Sequence, residues 1–291
     1  MNVAQWLKSN TNSLKGKTVA VTGSTGGIGK ELCRYIAMLG GNLILLDRSF
    51  ERSNAHRKEL LEQNPDISVR CITLDLSVFA SIKIVAEQLT TLEFDFFIHN
   101  AGAYSIPRNK TDIGFDNVFQ INFVAPYYII RKLLENGFGG RVVVVGSIAH
   151  NYSKIDPLDI DFSNRKAASK VYGNAKRFLM FALYELFEQK QKATLSVTHP
   201  GITFTNITAH YPKAIFWLIK EPMKLIFMSV KKAALSVLLG LFRETRHSEW
   251  LGPRIFNVWG LPRLVILKTV SKKESEKIGE IAQEIYLRIN K

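Results

Sequence analysis

Cysteine is nearly missing from this 291-residue chain, which has two, Cys33 and Cys71. They offer neither a disulfide framework nor a paired metal-ligand spacing. Cys33 falls in a helical pattern and Cys71 in a strand pattern, so both read as buried thiols, compatible with a reducing, cytoplasmic setting. Long apolar runs are missing too. No stretch reaches the roughly 18 residues that a spanning helix needs, and the greasiest part, 214–242, is interrupted by Lys220-Glu221-Pro222, Lys224 and Lys231-Lys232. The N-terminal MNVAQWLKSNTNSLKGK has no apolar core for a secretion signal. The chain is expected to be soluble, or at most attached to a membrane surface. Acidic residues are the third scarcity: 25 Asp/Glu against 39 Lys/Arg give a net charge of +14. Most of the excess lies late, since residues 1–150 hold 16 Lys/Arg and 13 Asp/Glu, and residues 151–291 hold 23 and 12. Such charge attracts nucleic acid, anionic lipid and anionic ligands alike. No nucleic-acid motif or Lys/Arg-dense tract accompanies it, so nucleic acid is not expected as a partner.

What is present is a regular alternation. Short apolar, β-branched runs at 18–22, 43–46, 69–74, 96–98, 142–145 and 195–198 read as buried strands. Between them, 27–39, 50–63, 78–92, 113–136 and 166–190 have helical length and periodicity. Strand–helix alternation with continuous apolar strands implies a parallel sheet covered by helices on both faces, a doubly wound α/β fold. No linker, repeat or low-complexity tract divides 1–291, so one domain is expected. After Pro200 the alternation stops, and a Pro- and aromatic-containing insert precedes a final strand and helix.

The first strand runs directly into Thr22-Gly23-Ser24-Thr25-Gly26-Gly27-Ile28-Gly29, where a helix begins. Glycines at 23, 27 and 29 permit a tight turn, close backbone approach to a pyrophosphate and close helix–strand packing. The helix start supplies free N–H groups and a positive dipole end. Any sharp strand-to-helix turn also favours glycine, so the loop alone is weak testimony. The spacing is not that of a P-loop. The second strand ends at Asp47, where an acid can hold the adenosine ribose and repel a 2′-phosphate, favouring NAD. Arg48 could pair with that phosphate, which keeps NADP open, and Asp47 could equally cap the next helix. Asp75, after the third strand, has the same two readings, adenine contact or helix cap.

Tyr172 and Lys176 lie four residues apart in a helical stretch and so share a face. A free tyrosine titrates near 10 and is a poor base; a neighbouring ammonium and an oxidised nicotinamide favour its phenolate. Chance pairs of this kind usually mark an exposed face. Here the strand 142–145 ends in Gly146-Ser147, and His99-Asn100-Ala101-Gly102 ends the fourth strand, both at the carboxyl edge where wound sheets bind ligands. Asn122 is a polar residue in an apolar helical stretch, which taken alone suggests a helix–helix hydrogen bond.

In this order, TGSTGGIG at 22–29, Asp75, HNAG at 99–102, Asn122, Ser147, YGNAK at 172–176 and PGITFT at 200–205, the chain resembles the short-chain dehydrogenase/reductase family. The likeness runs from about Leu14 to the C-terminus. It implies a Rossmann-type sheet and a catalytic tetrad of Asn122, Ser147, Tyr172 and Lys176. Ser147 would hydrogen-bond the substrate oxygen and Tyr172 exchange its proton; Lys176 would hold the nicotinamide ribose and lower the tyrosine pKa, and Asn122 would anchor a water relay. The nucleotide would lie along Gly23, Ser24, Thr25, Gly27, Ile28 and Gly29, then Asp47, Arg48, Asp75 and Leu76. Asn100, Ala101 and Gly102 would follow, with Tyr172, Lys176, Pro200, Gly201 and Thr205 around the nicotinamide. No metal is implied. Ser147 and Tyr172 stand 25 residues apart, wider than in many members, and the segment between them is similar to that of retinol dehydrogenase-like members. His99 stands where Asn is usual.

The implied activity is interconversion of an alcohol and its aldehyde or ketone. The segment 206–243 is expected to form a helical substrate lid, rich in Tyr211, Phe216, Trp217, Met223 and Phe227, which suits a retinoid-, steroid- or lipid-like ligand. Packing within the domain, or a homo-oligomer contact, would use the same residues. Its lysines beside aromatics also fit a helix on anionic lipid. A dinucleotide-sensing regulator or scaffold on the same fold is the alternative from another class.

Overall fold

Parallel strands buried on both faces need unbroken apolar runs, and Arg141–Val145, with four consecutive valines, makes strand β5 in this way. The structure is a computed structural model, described for residues 2–189, 191–203, 228–267 and 271–291. The other strands are Thr18–Thr22 (β1), Asn42–Asp47 (β2), Val69–Thr73 (β3), Phe96–His99 (β4), Thr194–Thr198 (β6), Glu249–Ile255 (β7) and Trp259–Ile266 (β8). They form one eight-stranded sheet in the order β3-β2-β1-β4-β5-β6-β7-β8. All neighbours are parallel except β7 and β8, an antiparallel hairpin. The chain reverses its winding between β1 and β4, so a crevice opens at their carboxyl ends, where Thr22 pairs with His99.

Helices cover both faces. Val3–Asn10 (α1), Gly27–Met38 (α2) and Phe50–Gln63 (α3) share one face with Val230–Leu239 (α8). Phe79–Thr90 (α4), Ala125–Glu135 (α6), Ala168–Glu188 (α7) and Lys272–Ile289 (α9) share the other, around Phe119, Phe123, Phe178 and Phe181. Among the described residues no helix is long and apolar enough to cross a membrane.

The structure revises the sequence reading in four places. The expected helix 113–136 starts late: Asp116 caps a short turn, Asn117–Phe119 (α5), by accepting from Val118 and Phe119 N–H. A π-helical turn, Gln120–Val124, then joins it to α6. The expected single final strand is the β7–β8 hairpin. Helix α1 was not anticipated, because its one buried residue, Trp6, leaves no readable apolar stripe. Finally, the expected lid 206–243 does not extend to its stated end. Residues Ala233 to Leu239 are all buried in the core, and Tyr35 donates to the Lys231 carbonyl at 3.2 Å, so α8 is a core helix packed on α2. Residues 204–227, with Thr205 and the aromatic stretch, lie outside the described residues. The chain leaves at Thr203 and returns at Met228, which are joined by a parallel bridge and by Met228 N–H donating to Ile202 O at 2.9 Å.

Candidate active site

The turn after β1 is built by close approach. A Cβ on Gly29 would fall 2.1 Å from the Gly23 carbonyl oxygen and 2.7 Å from Asn100 Nδ2, so only glycine lets α2 start against the loop. Asn100 holds that loop from β4, donating to the carbonyls of Thr22 (3.2 Å) and Gly23 (3.0 Å). Gly26, the residue before α2, caps the helix with no side-chain bond, leaving helix N–H groups for a ligand. A cavity of about 430 Å³ runs along this turn, past the ends of β2 and β3 and on to Gly102, Tyr104, Ile106 and Ile121. It has the volume of a ligand site, and it spans the crevice at the topological switch, where a dinucleotide lies extended. The residues fit that group: Thr25, Ile28, Arg48, Asp75, Leu76 and Ala101 all line the cavity.

Two sequence expectations change here. Ser24 is fully buried and does not line the cavity; its hydroxyl donates to Asp47. Asp47, only 4% exposed, turns inward. Its Oδ2 also accepts from Ser53 Oγ at 3.1 Å, and its Oδ1 accepts from Thr25 N–H at 3.1 Å and Thr25 Oγ1 at 3.2 Å. The carboxylate thus ties the glycine loop to α3. It is not the cap of α3, for Ser49 caps that helix. Asp75 accepts from the Ser77 N–H (2.8 Å) and hydroxyl (2.6 Å), a local turn ahead of α4 rather than a cap on it.

Four elements bring the tetrad together. Ser147 follows β5 and caps a 3₁₀ turn, Ile148–Tyr152, accepting from Ala149 N–H at 3.2 Å. Tyr172 and Lys176 project from α7. Asn122 sits in the π turn, a distortion common at functional sites. Its amide donates to Val118 O and to Ala103 O, both at 2.8 Å, and its Oδ1 accepts from Ala103 N–H at 3.3 Å. The side chain therefore staples the π turn to the loop after β4. A Cβ on Gly102 would lie 2.9 Å from Asn122 Oδ1 and 3.7 Å from Lys176 Nζ, which places the two near one another. Lys176 Nζ lies 5.7 Å from the Tyr172 ring centre and donates to Val145 O at 2.8 Å.

Burial governs the titration of the pair. It pushes the Tyr172 phenol up to about 12, with a hydrogen bond from Ser147 pulling down and Tyr104 pushing up. It pulls the Lys176 ammonium down to about 7. For Tyr172, desolvation of the buried phenol is the largest cause, and Lys176 is not among the causes in the protein without nucleotide.

Several residues escaped the sequence reading. Tyr104 stands edge-on to Tyr172 with ring centres 5.3 Å apart. Arg52 lines the cavity beside Arg48 and donates to the Thr25 carbonyl at 3.4 Å. His150 donates through Nδ1 to Ser147 O at 2.6 Å, which fixes its tautomer because a carbonyl can only accept; burial lowers its pKa to about 4. Behind it, Arg177 donates to His150 O at 2.7 Å and forks onto Glu274 of α9 at 2.9 and 2.8 Å. Pro200 and Gly201 end β6 at the same sheet edge, Gly201 with φ of 80°.

Comparison with known proteins agrees with this layout. The family model for short chain dehydrogenase matches residues 17–214. Retinol dehydrogenase 12 of Mus musculus is 30% identical, across 94% of this chain and 87% of its own length. Retinol dehydrogenase 13 of Homo sapiens is 31% identical across 68% and 62%. Among solved structures, an uncharacterized protein from Mycobacterium Paratuberculosis superposes with a TM-score of 0.75 over 97% of this chain and 96% of its own, at 20% identity. NADPH-Dependent 3-Quinuclidinone Reductase from Rhodotorula Rubra gives 0.60 over 81% and 89%, at 22% identity. These two structures share the fold.

Proposed function

The chain belongs to the short-chain dehydrogenase/reductase family, NAD(P)-dependent oxidoreductases of alcohols and their carbonyl partners, and from that premise we propose that it uses NADP(H) to reduce a bulky, apolar aldehyde or ketone. The observation that carries the cofactor choice is Asp47. An acid selects against a 2′-phosphate most strongly when its carboxylate is free to take the ribose hydroxyls, and this one, though on the cavity wall, has both oxygens engaged by Ser24, Thr25 and Ser53. Arg48 and Arg52 line the cavity at that end, and guanidinium groups suit phosphate geometry. The proposal departs from the leaning to NAD that Asp47 gave as a bare letter in the sequence.

A nicotinamide held along the glycine loop would supply the hydride. Ser147 would hold the substrate oxygen and Tyr172 would deliver its proton, from a phenol that burial keeps protonated in the protein without nucleotide. Alcohol oxidation would use the phenolate, and Lys176 beside it would favour that form when charged. Asn122 would keep the loop after β4 seated against the π turn. The apolar substrate class is supported by the names of the retinol dehydrogenase relatives, by Tyr104, Ile106 and Ile121 on the cavity wall, and by the apolar sequence of 204–227.

The test is a kinetic comparison of NADPH and NADH with retinaldehyde, steroid ketones and small carbonyls. NADPH with the bulky apolar carbonyls is expected to give the highest kcat/KM. Replacing Arg48 and Arg52 by Ala should raise the NADPH KM by about tenfold or more and spare NADH, the scale of a lost charge-assisted bond. An unchanged NADPH KM would remove the arginine assignment. Tight NADPH binding without turnover across the panel would instead mark a dinucleotide sensor.

A further inference from the structure

The hairpin between β7 and β8 turns through Phe256 and Asn257, closed by Val258 N–H donating to Ile255 O at 2.9 Å. Both central residues have positive φ, 49° and 58°, a conformation that Asn and Gly favour in hairpin turns. Asn257 suits its place. Phe256 does not, since a bulky side chain is disfavoured in that conformation. It also gains nothing from burial, being 87% exposed. An aromatic residue is therefore kept where both the backbone and the solvent oppose it, and such a conflict at an exposed tip points to function. Its neighbours share the character: Ile255 is 48% and Trp259 36% exposed, and the two pair across the hairpin.

Charge and position indicate what the tip meets. Arg254 and Arg263 are exposed on the two strands. The one acid of the hairpin, Glu249, sits at its far end and accepts from Arg246 N–H at 3.0 Å. A second copy of this chain, itself at +14, would set these arginines against like charge. An anionic bilayer complements both the arginines and the apolar tip. The tip also stands at the edge where substrate must arrive. A Cβ on Gly201, just after the end of β6, would come within 2.6 Å of the Val258 carbonyl oxygen.

We propose that Ile255, Phe256 and Trp259 form a wedge that enters the headgroup layer of an anionic membrane, with Arg254 and Arg263 on lipid phosphates, so that an apolar substrate reaches the site from the bilayer. The purpose of the wedge rests on the apolar-substrate reading above; its existence does not. The test is flotation of the full chain with phosphatidylcholine vesicles, with and without phosphatidylserine. Binding is expected only with phosphatidylserine and at low salt, accompanied by a shift in tryptophan emission.

Phe256→Asn suits the turn better, so the variant should melt no lower than the parent and yet bind these vesicles about tenfold more weakly. Combined Arg254→Glu and Arg263→Glu should abolish the dependence on phosphatidylserine. The proposal is overturned if the parent does not float, if Phe256→Asn floats as well as the parent, or if that variant changes the oligomeric state, which would make the tip a contact between copies. Turnover of a small water-soluble aldehyde should be unchanged by Phe256→Asn. Failure of retinaldehyde as a substrate, with flotation intact, would fault the substrate class and leave the wedge standing.

Discussion

Tyr172 and Lys176 are moved by burial in opposite directions, one away from ionising and the other towards losing its proton. The protein alone therefore presents a phenol able to donate, hydrogen-bonded to Ser147, beside an amine poised near neutrality. Replacing Tyr172 by Phe removes the transferable proton and little else, because the ring still packs edge-on against Tyr104. Turnover should fall about a hundredfold or more, while nucleotide binding and melting temperature stay near those of the parent. A Tyr172→Phe variant with full activity would end the assignment. Asp47 teaches the complementary lesson at this scale. Its position was readable from the sequence, but the direction in which it points was set by Ser24, Thr25 and Ser53, residues too ordinary to announce a three-way acceptance.

Among the elements, α9 has a reach that its place at the end of the chain conceals. Its Glu274 forks with the buried Arg177, which holds the turn that Ser147 caps. Glu274→Ala would remove the forked carboxylate from the buried Arg177 guanidinium, a loss of about 2 kcal/mol on the scale of hydrogen bonds to charged groups. Denaturant unfolding should show it, with kcat falling while the nucleotide KM stays near that of the parent. A fall in kcat matched by an equal rise in the nucleotide KM would mean a general loosening rather than a displaced serine.

Strands β1 to β6 and the helices between them were legible because burial leaves mostly apolar runs, as in Val142 to Val145. The hairpin was not, since Gly252, Pro253, Gly260 and Pro262 break the alternation and Phe256-Asn257 is no usual turn pair. Nor was the π turn. Gln120-Ile-Asn-Phe-Val has an ordinary helical pattern, and the extra residue is accommodated through the bonds of Asn122 to Val118 and Ala103, which belong to tertiary structure.

At the level of the whole molecule, the buried lysine becomes a dependence of stability on pH. Its folded pKa of about 7 lies below the ordinary 10.5, so between those values the unfolded chain binds a proton that the folded chain does not. Stability then rises with pH. Above about 9 the buried Cys33, whose pKa is raised by burial, acts in the opposite sense, so the window is pH 7 to 9. The nucleotide-free protein should gain melting temperature across it, and Lys176→Met should flatten that gain; a gain that persists in the variant would locate its source elsewhere. Much of the molecular plan was readable in advance, because the ordered motifs fall at strand ends on one edge of the sheet. The late excess of positive charge was readable as a sum, but not that two of its members, Arg254 and Arg263, are exposed on the hairpin.

The bridge between Thr203 and Met228 has one more implication. It acts as a clasp that fixes both ends of the intervening chain to the sheet edge whatever lies between them. Since the entropy of closing a loop grows only slowly with its length, that stretch can be lengthened, shortened or exchanged at little cost to the strands that carry Ser147 and Gly201.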